Sequence, residues 1–161
     1  MSAARILVFA WGNPSRGDDA LGPEFLARIE ALAGTGVEFL TDFQLQPEHA
    51  ADLHGRALVL FVDASVSCFA PYDFQRVEAG RDASFTSHAM SPGAVLAAYR
   101  DAFGVEPPPA FLLAIRGERF ELGEDLGAVA RDHLEAALEF AALLLSERTP
   151  EAWDRHVLHC G

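Results

Sequence analysis

The chain contains no lysine. All 12 of its basic residues are arginines, set against 24 acidic residues, and the formal net charge is −12 at pH 7. The arginines form no cluster. Phosphate backbones and anionic membranes would be repelled by such a chain, so neither nucleic acid nor membrane is expected as a partner. Cysteine is scarcer still. Only Cys68 and Cys160 occur, with no Cys-x-x-Cys pair, which excludes a zinc ribbon and a thioredoxin-type motif. No apolar run approaches the length of a membrane span, and the residues ahead of the first apolar run do not read as a leader. A cytoplasmic protein with reduced thiols is expected. The loop 12–17 lacks the spacing of a P-loop or a dinucleotide fingerprint. Ser65, Ser67 and Cys68 stand outside a nucleophile-elbow context, and no Ser-His-Asp or Cys-His arrangement offers itself.

What is present reads as an α/β protein. Half of the 161 residues are hydrophobic, enough for a sizeable core and too many for disorder, and the length suits one domain over 1–161. Residues 5–11 form a near-continuous apolar run, the pattern of a strand buried on both faces. Residues 20–32 place Leu21, Phe25, Ile29 and Leu32 on one helical face, with Pro23 tolerated in the first turn. Strands follow at 37–41, 57–63 and 111–115, with a more polar edge strand at 72–78. Helices are expected at 47–53, 91–103 (Ser91 capping, Pro92 first) and 125–147, and the residues after Pro150 read as a short docked or mobile tail. This alternation implies a three-layer α/β/α arrangement.

Open α/β sheets bind ligands outside the carboxyl ends of their strands. Three side chains are expected there: Asp19 after the first strand, Asp63 at the end of the third, and His88 in the polar loop 80–89. Two carboxylates and an imidazole make a nitrogen/oxygen donor set for a divalent transition metal, with positions left open. Each also has a plainer reading. One of Asp18 and Asp19 can be a helix N-cap, Asp63 a cap or turn former, and His88 a solvated loop residue. His156, His159 and Cys160 read as a frayed terminus, and Glu118, Arg119, Glu121 and Glu124 as a solvated loop face.

The string Gly12-Asn13-Pro14-x-Arg16-x-Asp18-Asp19-x-x-Gly22 resembles the opening signature of the hydrogenase maturation endopeptidases, which remove a C-terminal peptide from the large subunit of nickel–iron hydrogenases. The likeness continues through Val62-Asp63, His88 and Ile115-x-Gly117. It implies a five-stranded, mixed and mostly parallel sheet with strand four antiparallel. It implies that Asp19, Asp63 and His88 are catalytic and metal-binding, and that Gly12, Asn13, Asp42 and Gln44 contact substrate. The metal implied is nickel presented by the large-subunit precursor, with another divalent ion as the alternative. The segment 44–48 is similar to the subgroup serving NAD-reducing, bidirectional hydrogenases. Two departures stand out: Ala20 replaces a common glycine, and Asp42-Phe-Gln-Leu45 replaces a glycine-rich segment. An antiparallel strand four would end at the far edge of the sheet, and the chain from Gly80 to His88 can span roughly 25 Å to return. Two other functions share part of this pattern. Peptidyl-tRNA hydrolases also open with Gly-Asn-Pro after a buried strand, but Arg16-Gly-Asp-Asp19 and the acidic charge suit tRNA poorly. A nickel-binding escort without protease activity could share the same ligands.

Overall fold

A computed structural model describes residues 5–80 and 90–157. Five strands form one sheet in the order β2-β1-β3-β5-β4: β1 (Ile6–Trp11), β2 (Val37–Asp42), β3 (Leu58–Ser65), β4 (Tyr72–Val77) and β5 (Ala110–Arg116). Strands β1, β2, β3 and β5 run parallel, and β4 pairs antiparallel with the outer edge of β5. The carboxyl ends of four strands therefore share one edge of the sheet. The expected mixed, mostly parallel sheet is the one observed.

Alternation along the strands builds two cores. Ile6, Val8 and Ala10 of β1 face one side with Leu58, Leu60 and Val62 of β3. They pack against α1 (Leu21–Glu30), α3 (Ala128–Ser146) and α4 (Pro150–Arg155). Leu7, Phe9 and Trp11 face the other side with Val59 and Phe61. There they meet α2 (Pro92–Phe103) and a 3-10 helix, Pro47–Leu53, through Val95, Leu96, Tyr99, Ala50 and Leu53. Both faces of the sheet are covered, which is why the central strands read as unbroken apolar runs.

The structure refines several elements of the sequence reading. The helix expected at 47–53 is present with those bounds, as a 3-10 helix. Of the docked and mobile alternatives for the residues after Pro150, the docked one holds for α4: Thr149 caps it by accepting the Ala152 N–H, and Trp153 is fully buried with its indole N–H on the Leu144 carbonyl. His156 is tied to Glu147 at 3.1 Å, while His159 and Cys160 lie outside the described residues. Strand β3 continues to Ser65, so Asp63 sits inside the strand rather than at its end. Among the described residues no helix is long and apolar enough to cross a membrane.

Candidate active site

The chain leaves β1 at Gly12, where φ is +152° and an added Cβ would collide with the Asp19 carbonyl oxygen. Only glycine lets the loop fold back that closely. A second 3-10 helix, Gly17–Ala20, then leads directly into α1. Neither aspartate caps a helix: Arg16 and Ala20 hold the N-cap positions without a side-chain cap. The capping reading of the acidic pair is thereby replaced by two separate environments.

Asp18 is 2% exposed and accepts three backbone N–H groups, from Glu118 (2.7 Å), Arg119 (3.1 Å) and Gly127 (2.8 Å). Burial by itself would raise its pKa. The three amides outweigh burial and hold the carboxyl below the usual carboxylate range. Its own N–H donates to the Arg119 carbonyl at 2.7 Å. Asp18 thus pins the β1 loop to the loop after β5, where the sequence showed only a solvated acidic surface. Its partners lie about a hundred positions away in the chain, and local spacing carried no signal of them.

Asp19 turns the other way. Its Oδ2 accepts the Asn13 N–H at 2.7 Å. Burial raises its pKa, against the Asn13 bond and the charge of Arg16. Asp63 is raised further, to about 7, first by burial and then by the charge of Asp19, against a single hydrogen bond from the Ala64 N–H. The two carboxyls therefore sense each other and compete for ionisation.

Register explains what shares their surroundings. Trp11 of β1 pairs with Asp42 of β2, and Ala10 pairs with Val62, one residue before Asp63. Asp42, Trp11 and Asp63 thus form one row across β2, β1 and β3. Alternation places that row on the face carrying Phe9, Phe61 and the Pro47–Leu53 helix. Asn13, Arg16, Asp19, Asp42, Gln44 and Gln46 line an open cleft of about 540 Å³ at this edge. A second hollow of about 320 Å³, walled by Gly12, Pro14, Pro23 and Thr41, adjoins it across Asp42 and Phe43. Of the residues expected at the site, Gly12, Asn13, Asp19, Asp42 and Gln44 converge here, and Asp63 lies within electrostatic reach of Asp19. His88 lies outside the described residues.

The oxygen donors present suit a divalent cation. Two carboxyls repelling each other at a half-buried edge are relieved by a positive charge between them. Among the described residues no group of three His, Cys, Asp or Glu side chains gathers that could hold a metal ion.

No family model matches the chain, and no curated protein matches its sequence significantly. Solved structures do match. The hydrogenase maturating endopeptidase HybD from E. coli superposes with a TM-score of 0.70 at 28% identity, covering 89% of this chain and 94% of its own. This chain is a structural match to the hydrogenase maturation proteases. The NiFe hydrogenase maturation protease HycI from Thermococcus kodakarensis KOD1 gives a TM-score of 0.71 at 22% identity, covering 89% and 93%. An endopeptidase from Escherichia coli, solved in solution, gives 0.68 at 27% identity, covering 88% and 93%. The maturation-protease fold thus accounts for nearly nine-tenths of the chain.

Proposed function

We propose that this chain is an endopeptidase that removes the C-terminal peptide of a nickel–iron hydrogenase large-subunit precursor after nickel has been inserted. The observation that carries this reading is the Asp19–Asp63 carboxyl pair at the carboxyl edge of a maturation-protease fold. A pair whose ionisation is opposed by burial and by mutual repulsion discriminates strongly between an empty and a cation-loaded partner. Nickel belongs to the substrate here, and Asp19, Asp63 and His88 are the residues proposed to meet it. Gly12, Asn13, Asp42 and Gln44 are proposed to hold the peptide alongside.

The roles follow from the environments. Asn13 fixes Asp19 through its main-chain N–H, so one oxygen of Asp19 is oriented before the substrate arrives. Asp63, raised to about 7, holds a proton far more readily than a free carboxyl, and a positive charge beside it would favour its release. Metal bound by the precursor would supply Lewis acidity towards a neighbouring carbonyl. Exposed apolar side chains on the loops of the same edge, Phe43, Val66, Phe69 and Leu122, support a protein substrate over a small molecule. The segment 44–48 favours the NAD-reducing class of hydrogenase as the source of that substrate.

The test is the intact mass of a cognate precursor incubated with substoichiometric amounts of this chain, with and without nickel loaded. Loss of a C-terminal peptide from the nickel-loaded sample alone is the expected result. Unchanged mass in both samples, with a correctly folded partner, would replace the protease with a stoichiometric escort.

A further inference from the structure

Resting on the protease reading above, we infer that His49 is a positioning residue that sets the orientation of the Asp42 carboxylate towards the substrate cleft. His49 lies on the 3-10 helix Pro47–Leu53, beneath the cleft rather than in its lining. The Gln46 main-chain N–H donates to its Nδ1 at 2.8 Å. A nitrogen that accepts carries no proton, so the hydrogen of a neutral ring must reside on Nε2. Nε2 stands 3.2 Å from Asp42 Oδ2 and is therefore the donor in that contact. The second carboxylate oxygen, Oδ1, accepts the Phe43 N–H at 2.7 Å.

Both oxygens of Asp42 are thus anchored, one by its own neighbour and one by His49. A single anchor would leave the carboxylate free to turn, because a terminal sp³–sp² torsion has a broad profile. Two anchors fix its plane at the wall of the cleft that it lines with Asp19 and Gln44. The His49 ring is itself held. Its side chain is 12% exposed, against 47% for Asp42, and it packs edge-on against Phe9 at a centroid distance of 4.5 Å. Phe9 is core and 1% exposed, so rigidity passes from the sheet through the imidazole to an exposed carboxylate. Nothing in the packing of Phe9 calls for an imidazole, and an apolar side chain of similar size would fill the same space. The polar contacts at both ring nitrogens are what distinguish histidine at this position.

The experiment is a double-mutant cycle read as KM and kcat for precursor processing. His49→Leu keeps the packing against Phe9 and removes the Nε2 donor to Asp42 together with the Nδ1 acceptor for Gln46, a loss that is the same in both backgrounds of the cycle. It is expected to raise KM roughly fivefold to tenfold, the worth of one hydrogen bond, with kcat little changed. His49→Gln places an amide N–H near Nε2 and is expected to recover most of that loss. In an Asp42→Ala background, His49→Leu is expected to have no further effect. Equal effects of His49→Leu in both backgrounds, or a kcat loss with KM unchanged, would overturn the positioning role, as would failure of His49→Gln to rescue a folded protein. If the wild-type chain leaves the nickel-loaded precursor uncut, the protease reading falls first and this role for His49 falls with it.

Discussion

At Asp63 burial and a like charge act in the same direction, and the consequence for stability has a definite sign. The folded-state pKa is raised from 3.8 to about 7, chiefly by burial and next by Asp19. The folded protein therefore holds this proton over a range where the unfolded chain has released it. Stability from this source is complete below the unfolded value and is lost as pH rises through about 7. A displacement of this size corresponds to roughly 4 kcal/mol in full. Water entering the open cleft reduces it to on the order of 2 kcal/mol. Asp63→Asn removes the penalty while keeping the shape of the side chain. Urea unfolding should show this variant more stable than wild type by about that amount at mildly alkaline pH, with the gain vanishing in acid. A gain that did not depend on pH would mean that the carboxyl is not held protonated by the fold. The same variant should lose processing, because stability and function oppose each other at a site of this kind. Asp18 is the converse. Three amides stabilise its charge, so its contribution is present at neutral pH and is lost as pH falls through its depressed value.

The first loop and the start of α1 behave as one element, wedged against the end of β1. An added Cβ at Gly22 would strike the Trp11 carbonyl, which belongs to the backbone and cannot rotate away. Gly22→Ala is therefore expected to push α1 off β1, to cost about 1–3 kcal/mol, and to displace Asp19 with the helix. Thermal melting checks the first effect, and precursor cleavage at a temperature where the variant is folded checks the second. Full activity in a destabilised Gly22→Ala would detach the site from the placement of the helix. The regular elements were legible because β1, β3 and β5 are apolar on both faces and α3 repeats with helical spacing. The parts that were not legible depend on distant partners. The Asp18 anchors come from residues 118, 119 and 127. Asp63 lies inside β3 because Ala64 and Ser65 continue pairing with Ile115 and Arg116, beyond the expected end of the strand at 63. Helix α4 did leave a signal in Thr149-Pro150, a cap followed by proline at the first turn. The His49–Asp42 contact left a fainter one, in the three-residue spacing of Gln46 and His49 at a helix start. His88, legible as a histidine in a polar loop and through the family likeness, lies outside the described residues.

Charge is the property that belongs to the molecule as a whole. A net charge of −12 on 161 residues opposes compaction through long-range repulsion, which salt screens. Local ion pairs act in the other direction, because salt weakens them. Those present are mostly exposed: Arg28–Glu135 has side chains 49% and 60% accessible, and Arg76–Asp154 has 36% and 47%. Exposed pairs of this kind often contribute nothing measurable. The Arg56–Glu38 pair at 2.6 Å is more sheltered on the arginine side, and its screening is correspondingly weaker. Repulsion summed over the molecule should therefore outweigh the pairs. Raising sodium chloride from a few millimolar to a few tenths molar is expected to raise the melting temperature by several degrees. A fall would mean that the local pairs dominate. The same field bears on the encounter with substrate. If an acidic enzyme is drawn to a precursor tail of opposite charge, the salt that stabilises the fold should also slow association. The two effects can be separated by measuring melting and the apparent on-rate across one salt series. Opposite slopes would assign the acidic surface to steering, and a flat on-rate would leave the charge to solubility alone.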